Sequence, residues 1–415
     1  ADVPANVLIL LDKSGSMSKT SYTGARVNTT YSITAISNTG NVIVSDNYTL
    51  RGVDHDNNSL TNFVGNNNSY RERRRNNTCS TYYKTRYGIL YHNNKVYFTG
   101  SYYSSETYLY ELNTTTGTCQ SLEFFGRTRV YGRLLVSNDI LIFPNNHAYN
   151  DYRIYLRDTN SGSEMTCNPS GQLLSSMRYG YRDMRMPAAI DASGNLVIKS
   201  YEGSKIVFRR FALSGSTACP SNTANAAYAF NYDYDLRYSH YIEAHPTNDN
   251  IFYSTNYTSN KLIKTTFTST TTYTKSTVGR RGTLTNSYAP TSASQVRFYT
   301  PQDLRIDTAL NRIFVADTGN QVVQSFDLDL NFHDMSGSYQ IISRMAGAHQ
   351  AIQSIVTDSS LVSSVNFGFG YWSSGYTRIY YSRWRNWRTP VRCSTLVAKG
   401  VLSSSSWLVR GNYWC

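Results

Sequence analysis

The sequence predicts a mainly β chain: a six-bladed β-propeller inserted into a partial α/β domain. Three observations predict it. A continuous apolar run, Val7-Leu8-Ile9-Leu10-Leu11, opens the chain; a turn-then-strand unit recurs six times between about residues 30 and 335; and helical spacing of apolar residues appears only after residue 338.

The opening run has no polar alternation, so a strand made from it needs both faces covered, as a central parallel strand of an α/β sheet does. The recurring unit is a polar turn followed by an apolar strand, as in Asn94-Lys95-Val96-Tyr97-Phe98 and Asn138-Asp139-Ile140-Leu141-Ile142. Its anchors Val42, Val96, Ile140, Leu196, Ile251 and Ile313 lie 54, 44, 56, 55 and 62 residues apart. A second strand follows most anchors about ten residues on, at Tyr108–Leu112, Arg153–Leu156, Lys205–Phe208, Lys261–Ile263 and Gln321–Phe326. Units of this length with several strands each are the pattern of a propeller, one blade per unit. Paired β-sandwiches or a β-solenoid are the alternatives, and six copies in one order favour the propeller.

Beyond residue 338, Ile341, Ile342, Met345, Ala348, Ile352, Ile355 and Val356 fall at helical spacing and predict a helix. Val365–Trp372 then reads as a strand. The domains expected are therefore residues 1–25 (first strand and its loop), 26–337 (propeller) and 338–415 (helix, strand and aromatic C-terminal segment). Insertion at an exposed loop is tolerated where the inserted ends lie close together, and a closed propeller brings its first and last blades together.

Charged residues make up 16% of the 415, aromatics 14%, and 36 are tyrosines. Such a mix suits a secreted β-rich protein, with Tyr serving either contact surfaces or half-buried strands. The net charge of +13 comes mostly from Arg. Its only dense run, Arg71, Arg73, Arg74 and Arg75, sits in an Asn-rich loop without a nucleic-acid fold signature, so no nucleic-acid partner is expected. No stretch of 18 apolar residues occurs, so no membrane span is expected. Ala1-Asp2-Val3-Pro4 reads as the end left by signal cleavage.

The six cysteines, Cys79, Cys119, Cys167, Cys219, Cys393 and Cys415, form no CxxC pair, which favours disulfides in an oxidising compartment over zinc. Cys79–Cys119 and Cys167–Cys219 would staple neighbouring blades, with Cys119, Cys167 and Cys219 each closing one, and Cys393–Cys415 would close a C-terminal loop. Other pairings remain open.

Directly after the first strand, Asp12, Ser14 and Ser16 offer one carboxylate and two hydroxyls. These hard oxygen donors suit a divalent cation such as Mg²⁺ or Ca²⁺. A second candidate calcium loop begins at Asp54 and Asp56, without the Gly and distal Glu that complete one. The seven histidines are scattered with no His/carboxylate pattern, and no nucleophile or phosphate-loop motif occurs, so no catalytic residues are assigned and no enzyme is expected. Trp384, Trp387, Trp407 and Trp414 gather four of the five tryptophans near the C-terminus and form a candidate interaction surface.

Three resemblances follow from these residues. The apolar strand followed by Asp12-Lys13-Ser14-Gly15-Ser16 resembles the metal loop of von Willebrand factor A (vWA) domains, which implies cation-dependent adhesion through Asp12, Ser14 and Ser16. The family's further Thr and Asp ligands are not found, and segments 1–20 and 338–415 together make about half a domain of that family. The unit from Pro301-Gln302-Asp303-Leu304 through Asn311-Arg312-Ile313-Phe314-Val315-Ala316-Asp317-Thr318-Gly319-Asn320 to Gln321-Val322-Val323-Gln324-Ser325-Phe326 resembles an NHL repeat, whose propellers are mostly binding platforms. The opening Val-Leu-Ile-Leu-Leu-Asp-Lys-Ser-Gly-Ser-Met, with Met345 to Trp372, resembles the PilY1-type adhesins of type IV pili. The resemblance implies a secreted adhesin at a cell surface or pilus, whose partner is a surface protein or glycan. A filament subunit binding pilus subunits or copies of itself is the alternative, and a propeller enzyme a minor third.

Overall fold

In the computed structural model, the described residues are 5–12, 20–23, 27, 30–46, 49–54, 59–64, 88–101, 107–125, 133–148, 151–167, 187–202, 204–213, 219, 226–284, 290, 292–337, 339–343, 365–375, 393–402 and 405–410. The chain divides into two compact units, Gly24–Tyr339 and the pair Ala1–Thr23 with Gln340–Cys415.

The larger unit is a six-bladed β-propeller. Its blades are six four-stranded antiparallel sheets, each built from four strands consecutive in sequence. Blade 1 spans residues 30–64, blade 2 89–124, blade 3 135–167, blade 4 188–231, blade 5 239–278 and blade 6 301–337. The first strand of each blade neighbours the first strands of the blades on either side, and Pro301–Asp307 of blade 6 meets Thr30–Ile36 of blade 1 to close the ring. All six anchor residues lie in the second strands of their blades, and the strands expected next are the third strands.

Turn chemistry explains why the pattern was regular. Asn93 and Asn94 in blade 2, and Asn138 and Asp139 in blade 3, all have positive φ, between 48° and 60°. Two-residue hairpin turns of that hand match strand twist, and Asn and Asp enter the left-handed region most readily after Gly. Blades 1, 4 and 6 use Asn38, Gly194 and Asn311 at the same bend, each with positive φ.

The core is six apolar clusters, each lying between two adjacent blades. Across the seam, Ile33, Val42 and Val44 of blade 1 pack against Phe314, Ala316 and Val323 of blade 6. Each of these side chains is fully buried, and burying an aliphatic or aromatic side chain contributes about 1.5–3 kcal/mol. Tyr97, Tyr155 and Tyr253 are buried in strands, whereas Tyr232 and Tyr234, before and at the start of the short helix Tyr234–Arg237, are about half exposed. The Tyr253 hydroxyl donates to Leu328 O at 2.8 Å, joining blade 5 to blade 6. Buried Lys199 of blade 4 donates to the carbonyls of Leu236 and Ser239 at the entry to blade 5.

In the smaller unit, Ala5–Asp12 pairs in parallel with Val365–Gly375, with Asp12 opposite Trp372. Cys393–Leu402 and Ser405–Arg410 extend that sheet in antiparallel fashion. Thr20–Thr23 and Tyr339–Ser343, the latter beginning on the last residue of the larger unit, form a separate two-stranded sheet. This last pairing corrects the expected helix at its start, because Ile341 and Ile342 are in a strand. Adjacent apolar residues satisfy either period over so short a run. Residues 344–364, where the rest of that helix was expected, lie outside the described residues. Among the described residues the only helical segments, Tyr234–Arg237 and Ala293–Gln295, belong to the propeller unit, so helices of an α/β domain are not seen there.

Candidate functional site on the propeller axis

The first strands converge on the axis, and two arginines meet them there. Arg305, on the first strand of blade 6, donates through Nε to Ile33 O of blade 1 at 3.2 Å. Its Nη2 donates to Ile89 O of blade 2 at 3.1 Å and to Leu134 O, just before blade 3, at 2.6 Å. Arg133, in the connection entering blade 3, serves the other three blades. It donates through Nη1 to Ala188 O at 3.5 Å and to Ile242 O, and through Nη2 to Leu304 O. Five blades and the residue entering blade 3 thus each present one inner carbonyl to one of two guanidinium groups.

Both arginines are buried, and such charges persist only when paired. Glu243 of blade 5 supplies one counter-charge, with Oε2 at 2.8 Å from Arg133 Nη1 and Oε1 at 3.7 Å from Arg305 Nη1. Asp303 supplies the other, 3.5 Å from Arg133 Nη2. Asp303 also ties the seam: its Oδ2 accepts from Ser32 Oγ at 2.9 Å and from Ile33 N at 3.0 Å. Burial, with the neighbouring positive charge of Arg133 second, pushes the Arg305 guanidinium down to about 10. Four charged groups therefore cancel around the axis.

Above them, at the carboxyl ends of the first strands, opens a cavity of about 440 Å³. Thr34, Leu90, Leu135, Ile190, Glu243 and Arg305 contribute to its wall, one from each blade. The volume is within the range of small-molecule sites, about 300–1,000 Å³. At the rim, Asp307 accepts from the backbone N–H groups of Asn38, Ala309 and Leu310, and Asp191 pairs with Arg210 Nε at 2.6 Å. His245 also lines the rim, and burial, with Lys264 nearby, holds its imidazole below the usual value. His92 lies there too, its Nε2 2.7 Å from Asp139 Oδ1, so one of the scattered histidines does meet a carboxylate, 47 residues away in the next blade.

Sequence reasoning missed Arg133, Arg305, Glu243 and Asp303. One signal was available: Asp303, Arg305 and Asp307 fall at every second position of Pro301–Asp307. Alternation puts three charges on one face, and all three are buried.

The sites expected from sequence are placed as follows. Asp12 ends the strand Ala5–Asp12, while Ser14 and Ser16 lie outside the described residues. Asp54 ends the third strand of blade 1, and Asp56 lies outside the described residues. Among the described residues no group of three metal-ligating side chains comes together. Cys167 and Cys219 form a disulfide with Cα atoms 5.5 Å apart. It joins the fourth strand of blade 3 to the connection before the fourth strand of blade 4, so Cys219 precedes its blade's last strand instead of closing it. Cys119 is disulfide-bonded as well; Cys79 and Cys415 lie outside the described residues, and Cys393 opens the strand Cys393–Leu402. Trp407 stands opposite Gly400 in the smaller unit's sheet, and Trp384, Trp387 and Trp414 lie outside the described residues.

In the NHL-like turn, fully buried Asp317 accepts from Tyr299 N at 2.8 Å, Asn320 Nδ2 at 2.6 Å and Gln324 Nε2 at 2.7 Å. Gly319 N donates to Tyr299 O at 2.7 Å, so the turn lies against that residue.

No protein-family model matches the chain, and no curated protein matches it. Solved structures with a similar fold include an auxiliary nutrient binding protein from Bacteroides thetaiotaomicron, at 12% identity and a TM-score of 0.46, covering 78% of this chain and 75% of that one. A protein from Lactobacillus plantarum matches at 10% identity and a TM-score of 0.43, covering 93% and 94%. Virginiamycin B lyase from Staphylococcus aureus matches at 13% identity and a TM-score of 0.42, covering 78% and 90%. The six-bladed assignment rests on the sheets of this chain. Among the described residues no helix is long and apolar enough to cross a membrane.

Proposed function

We propose that the chain is a secreted bacterial adhesion protein of the pilus-tip kind, a binding protein that combines a vWA-like cation loop with a rigid propeller platform. The observation that carries this reading is the position of Asp12. It ends a strand paired in parallel with Val365–Gly375, and α/β sheets take their ligands beyond the carboxyl ends of such strands. Asp12, Ser14 and Ser16 would hold Mg²⁺ or Ca²⁺ through hard oxygen donors, leaving a coordination position for an acidic group of a surface protein or glycan. The cation would supply Lewis-acid attraction for that group. Adhesion of the full chain to coated surfaces should fall at least about tenfold, about 1.4 kcal/mol, in EDTA or on Asp12→Ala. Unchanged adhesion in both overturns the reading.

A second reading, a filament subunit, is favoured by the same sheet. Among the described residues Ala5–Asp12 pairs on one side only, and an open strand edge invites addition of a strand from another copy. Regular polymers in negative-stain images would favour it over the monomeric adhesin.

A further inference from the structure

We propose that the axial cavity is a binding site for an uncharged sugar. The floor presents a donor and an acceptor that do not satisfy one another. Arg305 Nη1 and Glu243 Oε1 stand 3.7 Å apart, beyond hydrogen-bond reach, while the remaining nitrogens of Arg305 and the other oxygen of Glu243 are engaged by inner carbonyls and by Arg133. Both residues line the cavity. A group that accepts from Nη1 and donates to Oε1 at once completes this pair. A hydroxyl does so, and two adjacent hydroxyls of a pyranose do so with both partners held at fixed spacing.

Charge selects against the alternatives. Arg133 and Arg305 are cancelled by Glu243 and Asp303, so a carboxylate or an ammonium entering the cavity would leave one buried charge unpaired. Around the rim, Asp307 accepts from three backbone N–H groups, Asp191 pairs with Arg210, and burial, with Lys264 nearby, disfavours the charged form of His245. The walls supply the other half of sugar recognition. Leu90, Leu135, Ile190, Ile306, Pro246 and Tyr91 line the cavity, so a ligand there meets the edges of the apolar clusters between blades, which suits the C–H faces of a pyranose. The volume of about 440 Å³ leaves room for a monosaccharide with bound water or a short oligosaccharide.

The test is a saturation-transfer NMR titration of the full chain in EDTA with glucose, galactose and N-acetylglucosamine, and with glucuronate and glucosamine as charged comparators. EDTA separates this site from the cation loop, so neither result decides the other. At least one neutral sugar should bind with Kd of about 1 mM, the range expected of so small a ligand. Ala192→Trp places an indole in the mouth from an exposed turn position without touching the arginines. It should weaken binding at least about tenfold with the melting temperature unchanged. Glu243→Gln should weaken it likewise wherever the variant folds. No binding of neutral sugars up to about 50 mM, tighter binding of a charged comparator, or full binding by Ala192→Trp overturns the proposal.

Discussion

Asp303 of blade 6 and Ser32 of blade 1 meet across the seam of the ring, with Ser32 Oγ donating to Asp303 Oδ2 at 2.9 Å. The same hydroxyl accepts from Ile89 N of blade 2 at 3.3 Å, so one serine links three blades. No strand crosses the seam, because each blade consists of consecutive strands. Closure therefore depends on side chains. Asp303→Ala would leave the Ile33 N–H without its acceptor and unbalance Arg133, a loss of about 3–5 kcal/mol for breaking a buried pair. Urea unfolding followed by Tyr fluorescence should show a lower midpoint, partly restored in Asp303→Asn. An unchanged midpoint would mean that the apolar seam closes the ring alone.

Asp317 gives the propeller a pH dependence of known sign. Burial raises its carboxyl from 3.8 to about 7 against three hydrogen bonds that lower it. Between those values the folded chain holds a proton that the unfolded chain has released. Its contribution is fully present below about pH 4 and is lost as pH rises through about 7, at up to about 1.4 kcal/mol per pH unit. Asp317→Asn removes the titration. The stability of the native chain minus that of Asp317→Asn should fall from pH 4 to pH 7, and a flat difference would contradict it.

Gly319 is fixed by contact. A Cβ there would stand 2.2 Å from Tyr299 Cδ1 and 2.4 Å from Tyr299 O. Gly319→Ala should destabilise by about 1–3 kcal/mol in thermal or chemical melts. Gly117 tests the opposite case, since its φ is +72° and nothing lies within 4 Å of an added Cβ. Asn tolerates that backbone, so Gly117→Asn should change stability by less than about 1 kcal/mol.

The Cys167–Cys219 bridge closes a loop with a sequence separation of 52. Loop-closure entropy assigns about 4 kcal/mol to a bridge of that span. The double variant Cys167→Ser/Cys219→Ser should melt well below the native chain under non-reducing conditions. The gap should shrink when both are reduced.

The blades were legible because turns and second strands are local. Asn93-Asn94 and Asn138-Asp139 announce left-handed bends, and five of the six anchors, all but Ile251, follow such a bend within a few residues. The axial arginines were not legible for a different reason. Their partners are backbone carbonyls, which every residue carries, and Arg305 reaches Ile33 O across 272 positions of sequence. Nothing in the local text around Arg133 distinguishes it from a solvated loop arginine. Ile341 and Ile342 failed as a helix because two adjacent apolar residues define no period, and their partner strand, Thr20–Thr23, is remote in the chain.

The two guanidinium groups also set a limit on how such a chain can evolve. Here each arginine answers to three carbonyls, and the set is complete only with all six. A ring with one blade more would present an inner carbonyl that neither guanidinium group reaches. The hub thus couples the hydrogen bonding on the axis to the number of blades around it.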